Sequence, residues 1–176
     1  MTRNLGGTEL KRLHRQWRRA TDQRLALMLD GVQNPFNLGS ILRTAAAYSI
    51  DHLWLVGSPS PNDAKVQKTA LGSQKFVMTT PCDSSAEAIT AARSDRYRII
   101  GVELAEGATP LHATDLSGDI CIVMGHEDRG LSKDLLAGAD AIAYIPQLGR
   151  IGSLNVATAA AIAMYEVRRS GWIAEI

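Results

Sequence analysis

Residues able to do chemistry fall in three short stretches. NPFNLGSILRTA holds Asn37 and Arg43, GHEDRGLS holds His126, Glu127 and Asp128, and IPQLGRIGSLN holds Ser153 and Asn155. Singly, each has a plain reading. Asn37 and Ser153 stand where a side-chain oxygen can accept from the free N–H groups that open a helix. Arg43 reads as a solvated helix charge, and Glu127 and Asp128 as loop carboxylates. Their joint placement behind three strands changes the balance, because ligands of open α/β sheets collect beyond the carboxyl ends of the strands.

Familiar alternatives fail on spacing. No G-x-G-x-x-G follows the first strand, and GHEDRGLS has the two glycines of a phosphate loop but Leu131 where its lysine would be needed. His126 and Glu127 belong neither to an H-E-x-x-H pair nor to a deaminase-type H-x-E followed by P-C-x-x-C. No metal is therefore expected. Cys82 and Cys121 lack partners at metal or redox spacing and are read as plain thiols.

The elements that must position these residues alternate. LALMLDGV reads as a buried strand, QNPFN as a loop because Pro35 biases Asn34 away from helix, and Leu38, Ile41, Leu42, Ala45 and Ala46 as a helix running to about Tyr48, capped by Asn37. HLWLVG, KFVMTTP, RIIGVEL, DICIVMG and AIAYIPQ are further strands, separated by mostly helical stretches such as SSAEAITAARS. This pattern predicts one α/β domain, a mainly parallel sheet with helices on both faces. Its length of 176 residues, with 45% hydrophobic and 21% charged, suffices for one core. No long uncharged apolar run and no signal-like start occur, so a cytoplasmic protein without membrane contact is expected.

Net charge is only +1, yet it is unevenly spread. Up to Arg24 there are Arg3, Lys11, Arg12, Arg15, Arg18, Arg19 and Arg24 against Glu9 and Asp22. We divide the chain into a basic helical extension, 1–24, and a domain, 25–176. In the extension Leu10, Leu13, Trp17 and Ala20 have helical spacing, which predicts an apolar face packed on the domain and Lys11, Arg15, Arg18 and Arg19 turned outward towards nucleic-acid phosphates.

Taken together and in order, the three stretches resemble the motifs of the SpoU/TrmH family of RNA ribose 2'-O-methyltransferases, within the SPOUT superfamily. They are NPFNLGSILRTA, IVMGHEDRGLS and IPQLGRIGSLNVATAAAI, and the similarity runs from Leu25 to Arg169. The resemblance implies a C-terminal trefoil knot, a homodimer, and S-adenosylmethionine bound bent between the loops at 125–130 and 145–155. It implies cofactor contacts from Gly125, Ile145 and Leu154, with Pro146 holding the loop's shape and the strand end at Val102, Glu103 and Leu104 near the cofactor floor. Arg43 matches the family's catalytic arginine, and Asn37, Glu127, Ser153 and Asn155 its polar active-site residues. His126 and Gln147 depart from the commonest pattern, Gln147 standing where methionine is frequent. The alanines of the last helix would allow close packing in the knot and against a partner subunit.

The implied reaction is attack of a ribose 2'-oxygen of structured RNA, tRNA or rRNA, on the methyl carbon of the sulfonium. A guanidinium, with a pKa above about 12, is a poor general base, so Arg43 is assigned to phosphate binding and charge stabilisation. The competing expectation is a non-catalytic RNA-binding module on the same scaffold, against which the retained Arg43, Glu127 and Asn155 speak.

Overall fold

A computed structural model describes residues 2–172. Seven strands form one sheet: β1 (Leu25–Asp30), β2 (His52–Val56), β3 (Thr79–Cys82), β4 (Arg98–Val102), β5 (Thr109–Pro110), β6 (Ile120–Gly125) and β7 (Ala141–Tyr144). Their order is β3-β2-β1-β6-β4-β7-β5, and every pairing is parallel. Six helices accompany them: α1 (Gly7–Arg18), α2 (Pro35–Ala47), α3 (Ala64–Ala70), α4 (Ser85–Ser94), α5 (Lys133–Gly138) and α6 (Val156–Gly171).

The side-chain period of a strand explains the layers. Leu25, Leu27 and Leu29, with Ile120, Ile122 and Met124, face one side and pack with residues of α2, α3 and α6. Ala26 and Met28, with Cys121 and Val123, face the other and pack with Ala88 and Ala92 of α4 and Leu135 of α5. β1 and β6 are buried throughout, as continuous apolar strands in the middle of a doubly covered sheet should be. Both cysteines are free and buried, and burial pushes the Cys82 and Cys121 thiols up, away from thiolate chemistry. No helix among the described residues is long and apolar enough to cross a membrane.

Two details correct the sequence expectation. KFVMTTP is not strand throughout: Ser73–Phe76 forms a 3-10 turn and β3 begins at Thr79. The front helix forms, but it does not bury its apolar face. Leu10, Leu13 and Trp17 are 42%, 36% and 40% exposed, and none of the helix's residues is buried. Its attachment is aromatic and lies at its end: the Trp17 ring sits 4.7 Å from that of Trp172, which meets Tyr165 of α6 edge-on at 5.7 Å. Lys11, Arg15, Arg18 and Arg19 are exposed, whereas Arg24 is tied back to the domain by an ion pair to Asp119 at 2.8 Å.

One buried cation joins the last helix to the first motif helix. Arg168 of α6 is only 7% exposed, and its guanidinium donates to the carbonyls of Tyr48 at 3.0 Å, Ser49 at 2.7 Å and Gln23 at 2.6 Å. Tyr48 caps α2, so the positive charge sits at the negative end of that helix. Burial lowers the guanidinium pKa, with Asp51 and Tyr97 opposing the shift.

Candidate active site

Strand order brings the three motifs together. β6 lies between β1 and β4, and β4 between β6 and β7, so the loops after β1, β6 and β7 leave the sheet at neighbouring carboxyl ends. The β6 loop is held tightly. His126 and Gly130 exchange two backbone hydrogen bonds, N–H to O, at 3.0 and 2.9 Å, and His126 Nδ1 accepts from the Asp128 N–H at 3.0 Å. That bond places the proton of the neutral ring on Nε2. A Cβ on Gly125 would overlap the Gly130–Leu131 backbone, and Gly130 adopts φ +66° with its α-carbon against the Glu103 carboxylate.

A hydrogen-bonded chain then crosses all three motifs. Asn155 is the N-cap of α6, its Oδ1 accepting from the N–H groups of Ala157 at 2.9 Å and Thr158 at 3.3 Å. Because that oxygen must face the helix, its Nδ2 is turned outward and donates to Asn37 Oδ1 at 3.0 Å. Asn37 is thereby oriented with its own Nδ2 towards Glu127, to whose Oε1 it donates at 3.1 Å. Glu127 also accepts from the backbone N–H groups of Asn34 at 3.1 Å and Gln33 at 3.3 Å. Partial burial pushes the Glu127 pKa up, but its own N–H, Asn37, Asn34 and Gln33 together bring it below the usual carboxylate value.

The caps are displaced from the positions expected. Asn34, not Asn37, caps α2, accepting from the Phe36 N–H at 2.9 Å, with Pro35 as the first helical residue. Proline favours that position, where no N–H is required, so the residue read as prolonging the loop begins the helix. Likewise Asn155, not Ser153, caps α6. Asn37 and Asn155 are therefore committed to each other, and Ser153 is left on the wall of a cleft.

That cleft, of about 330 Å³, is lined by Gly125, Glu127, Ile145, Ser153 and Leu154 among the expected residues, and by His126 and Gln147. Pro146, between two lining residues, is exposed and does not itself line it. Arg43 is exposed on α2, makes no hydrogen bond or ion pair among the described residues, and does not line the cleft. It lies six residues from Asn37, about 9 Å along the helix and roughly 240° around it. Among the described residues no group of three or more metal-ligating side chains is close enough to hold an ion.

The cleft suits a medium-sized, partly apolar ligand. Its volume falls in the range of small-molecule sites, about 300–1,000 Å³. Leu104, Met124, Leu154, Val156 and Ala159 offer apolar wall, Glu103, Glu127 and Asp128 line it with carboxylates, and the Gln147 carboxamide oxygen is buried without a hydrogen-bond partner.

Comparison with known proteins decides the family, since the profile of the SpoU rRNA Methylase family matches residues 24–165. The chain belongs to the SpoU methylase family. A 23S rRNA (guanosine-2'-O-)-methyltransferase RlmB of Acinetobacter baylyi is 37% identical over 153 residues, covering 84% of this chain and 60% of that protein. The tRNA (guanosine(18)-2'-O)-methyltransferase of Escherichia coli K12 is 30% identical, covering 82% of this chain and 63% of that protein. An AdoMet-bound rRNA methyltransferase from Sinorhizobium meliloti superposes with a TM-score of 0.79 at 28% identity, covering 94% of this chain and 70% of that one. The SpoU chain thus spans about 60% of the length of the curated relatives it matches.

Two carboxylates hold the SpoU cleft in shape: Glu103, which the resemblance places only at a strand end near the cofactor floor, and Asp30, which sequence reasoning does not single out. Glu103 accepts from the N–H groups of Leu104 at 2.9 Å and Leu131 at 3.0 Å, clamping the β6 loop to the end of β4. Asp30, 8% exposed, accepts from Ser85 Oγ at 2.9 Å and from the Ser132 N–H at 2.8 Å, tying the same loop to β1 and α4. Asp30 does carry a signal in the sequence: a carboxylate closing an otherwise apolar strand must find donors, because an unpaired buried charge is too costly to keep.

Proposed function

We propose that this chain is a cytoplasmic, S-adenosylmethionine-dependent methyltransferase acting on a ribose 2'-hydroxyl of structured RNA, tRNA or rRNA. The observation that carries the reading is the chain Asn155–Asn37–Glu127, which joins all three motif loops beside the cleft. Bound there, the cofactor would supply an electrophilic methyl carbon on a sulfonium. Gly125, Ile145 and Leu154 would wall it, with Pro146 fixing the turn between its neighbours, and Ser153 would face the reacting ribose from the cleft wall. Arg43 would grip an RNA phosphate and stabilise charge on the 2'-oxygen. Glu127 is better suited to positioning than to accepting the proton, since a carboxylate surrounded by donors and held at low pKa is a weak base.

A trefoil knot of the C-terminal segment and a homodimer belong to the same reading. Supporting the first is the insertion of β6 between β1 and β4, with the 145–155 loop beside the 125–130 loop at one cleft. An experimental structure in which the last helix is reached without threading would overturn it. For the dimer, α6 packs Ala160 and Ala163 inward yet leaves Ile162 and Tyr165 39% and 45% exposed, and Tyr165 meets Trp172, whose ring also meets Trp17 of α1.

The deciding experiment incubates purified protein with RNA and methyl-labelled S-adenosylmethionine in the presence of a chelator. Label recovered by mass spectrometry in 2'-O-methylribose is the expected result. Cofactor binding without transfer would return the chain to a non-catalytic RNA-binding module, and no heat of binding at millimolar cofactor would remove the cofactor too. Sedimentation of the same preparation as a monomer at micromolar concentration would contradict the dimer.

We divide the chain functionally at residue 24, and the RNA role of the extension rests on the exposure of Lys11, Arg15, Arg18 and Arg19. If three of them meet phosphates, changing all four to glutamine flattens the salt dependence of RNA binding by about 0.7 in log–log slope for each phosphate no longer neutralised. Cofactor affinity stays unchanged. Identical slopes for parent and variant would make α1 scaffold.

A further inference from the structure

A second cavity, of about 370 Å³, lies where the end of α1 meets those of α2 and α6. Its walls are aromatic: His14 and Trp17 of α1, Tyr48 at the cap of α2 and Trp172 at the cap of α6. Trp17 meets Trp172 and still keeps 40% of its surface exposed. The charge of the cavity is positive. Arg18 and Arg168 line it and, among the described residues, no carboxylate does, whereas Glu103, Glu127 and Asp128 line the first cleft. Arg168 is committed to three main-chain carbonyls, but Arg18 is exposed. Ring faces beside an available guanidinium suit a nucleobase and its phosphate. The positive charge also continues on both sides. Lys11 and Arg15 precede His14 and Arg18 by three residues, one turn back along α1, and Arg43 precedes Ala46 and Ala47, which line the cavity, by three and four residues on α2. A strand of phosphates matches such a track. An isologous contact with a second copy would instead set one basic α1 against another.

We propose that this cavity takes one unstacked base of the substrate RNA, stacked on Trp17 with its phosphate on Arg18, close along the strand to the phosphate that Arg43 grips. This rests on the reading of the chain as an RNA methyltransferase with α1 on the RNA. A base inside a continuous A-form helix is stacked and paired and cannot enter, so the cavity selects a loop, a bulge or an end.

Anisotropy of end-labelled octauridylate, an unstructured strand, tests this in the full chain, with a short RNA duplex alongside. Trp17→Leu removes the ring, and Ala47→Leu fills the cavity from the α2 wall without touching the attachment of α1. Each is expected to weaken binding of the single strand about tenfold, the effect of losing one stacked base, and to leave binding of the duplex unchanged. The salt dependence keeps its parental slope, because neither change removes a charge. Trp17→Phe, which keeps a ring, recovers most of the affinity. No binding of octauridylate by the parent, parental affinity in either leucine variant, or a flattened slope in Trp17→Leu, which would mean that α1 has come away, would overturn the proposal. So would loss of self-association on sedimentation of Ala47→Leu with RNA affinity intact, which gives the cavity to a second copy. Methyl transfer is read separately: parent protein that binds the strand through the cavity but transfers no methyl group loses the catalytic reading and keeps the cavity.

Discussion

Arg43→Ala is expected to lower methyl transfer at least about 10²–10³-fold, the cost of removing a donor that stabilises transition-state charge, while cofactor affinity changes little. The side chain is exposed, has no partner among the described residues and stands off the cleft wall, so its loss removes no packing and no cofactor contact. On the proposed reading its guanidinium meets an RNA phosphate. Arg43→Lys should recover only part of the rate, because an ammonium keeps the charge but not the planar fork that grips a phosphate bidentately. Single-turnover transfer with saturating cofactor, alongside calorimetry, reads the two effects separately. Near-normal turnover of the alanine variant would take Arg43 out of the mechanism.

Arg168→Met should be strongly destabilising, costing about 3 kcal/mol and lowering the melting temperature by roughly 10 °C. Exchanging a buried ion pair for apolar residues can be harmless when both partners are replaced. Here the partners are the main-chain carbonyls of Gln23, Tyr48 and Ser49, which no side-chain change removes. They would lose that donor at a partly buried site. Denaturant unfolding of parent and variant measures the difference, and a change below about 1 kcal/mol would mean that water reaches those carbonyls.

The apolar runs of the seven-stranded sheet are legible because strands covered on both faces are apolar at nearly every position, as LALML and ICIVM are. The capping residues fall two or three positions from where residue type alone places them, for a local reason. Each helix start offers two candidate caps within a few residues, Asn34 and Asn37 at α2 and Ser153 and Asn155 at α6, and which of them caps depends on backbone angles that residue type does not set. The meeting of Asn37 with Asn155 and Glu127 depends on strand order, which no short-range pattern encodes. The exposed face of α1 departs from expectation for the opposite reason: helical spacing of Leu10, Leu13 and Trp17 marks an apolar face but not what covers it.

The position of β6 bears on how the protein is made. Leu25 of β1 is paired with Ile120 of β6, so the strand next to it on that side is synthesised nearly a hundred residues later. At about 5–20 residues per second, the ribosome leaves the inner edge of β1 open for roughly 5–20 s, and β4 likewise lacks its inner neighbour until β6 emerges. A nascent chain with two apolar strand edges unpaired is prone to associate with its own copies. Slower synthesis lengthens that interval, while an attendant chaperone that covers strand edges would protect this protein most between the emergence of β1 and the emergence of β6.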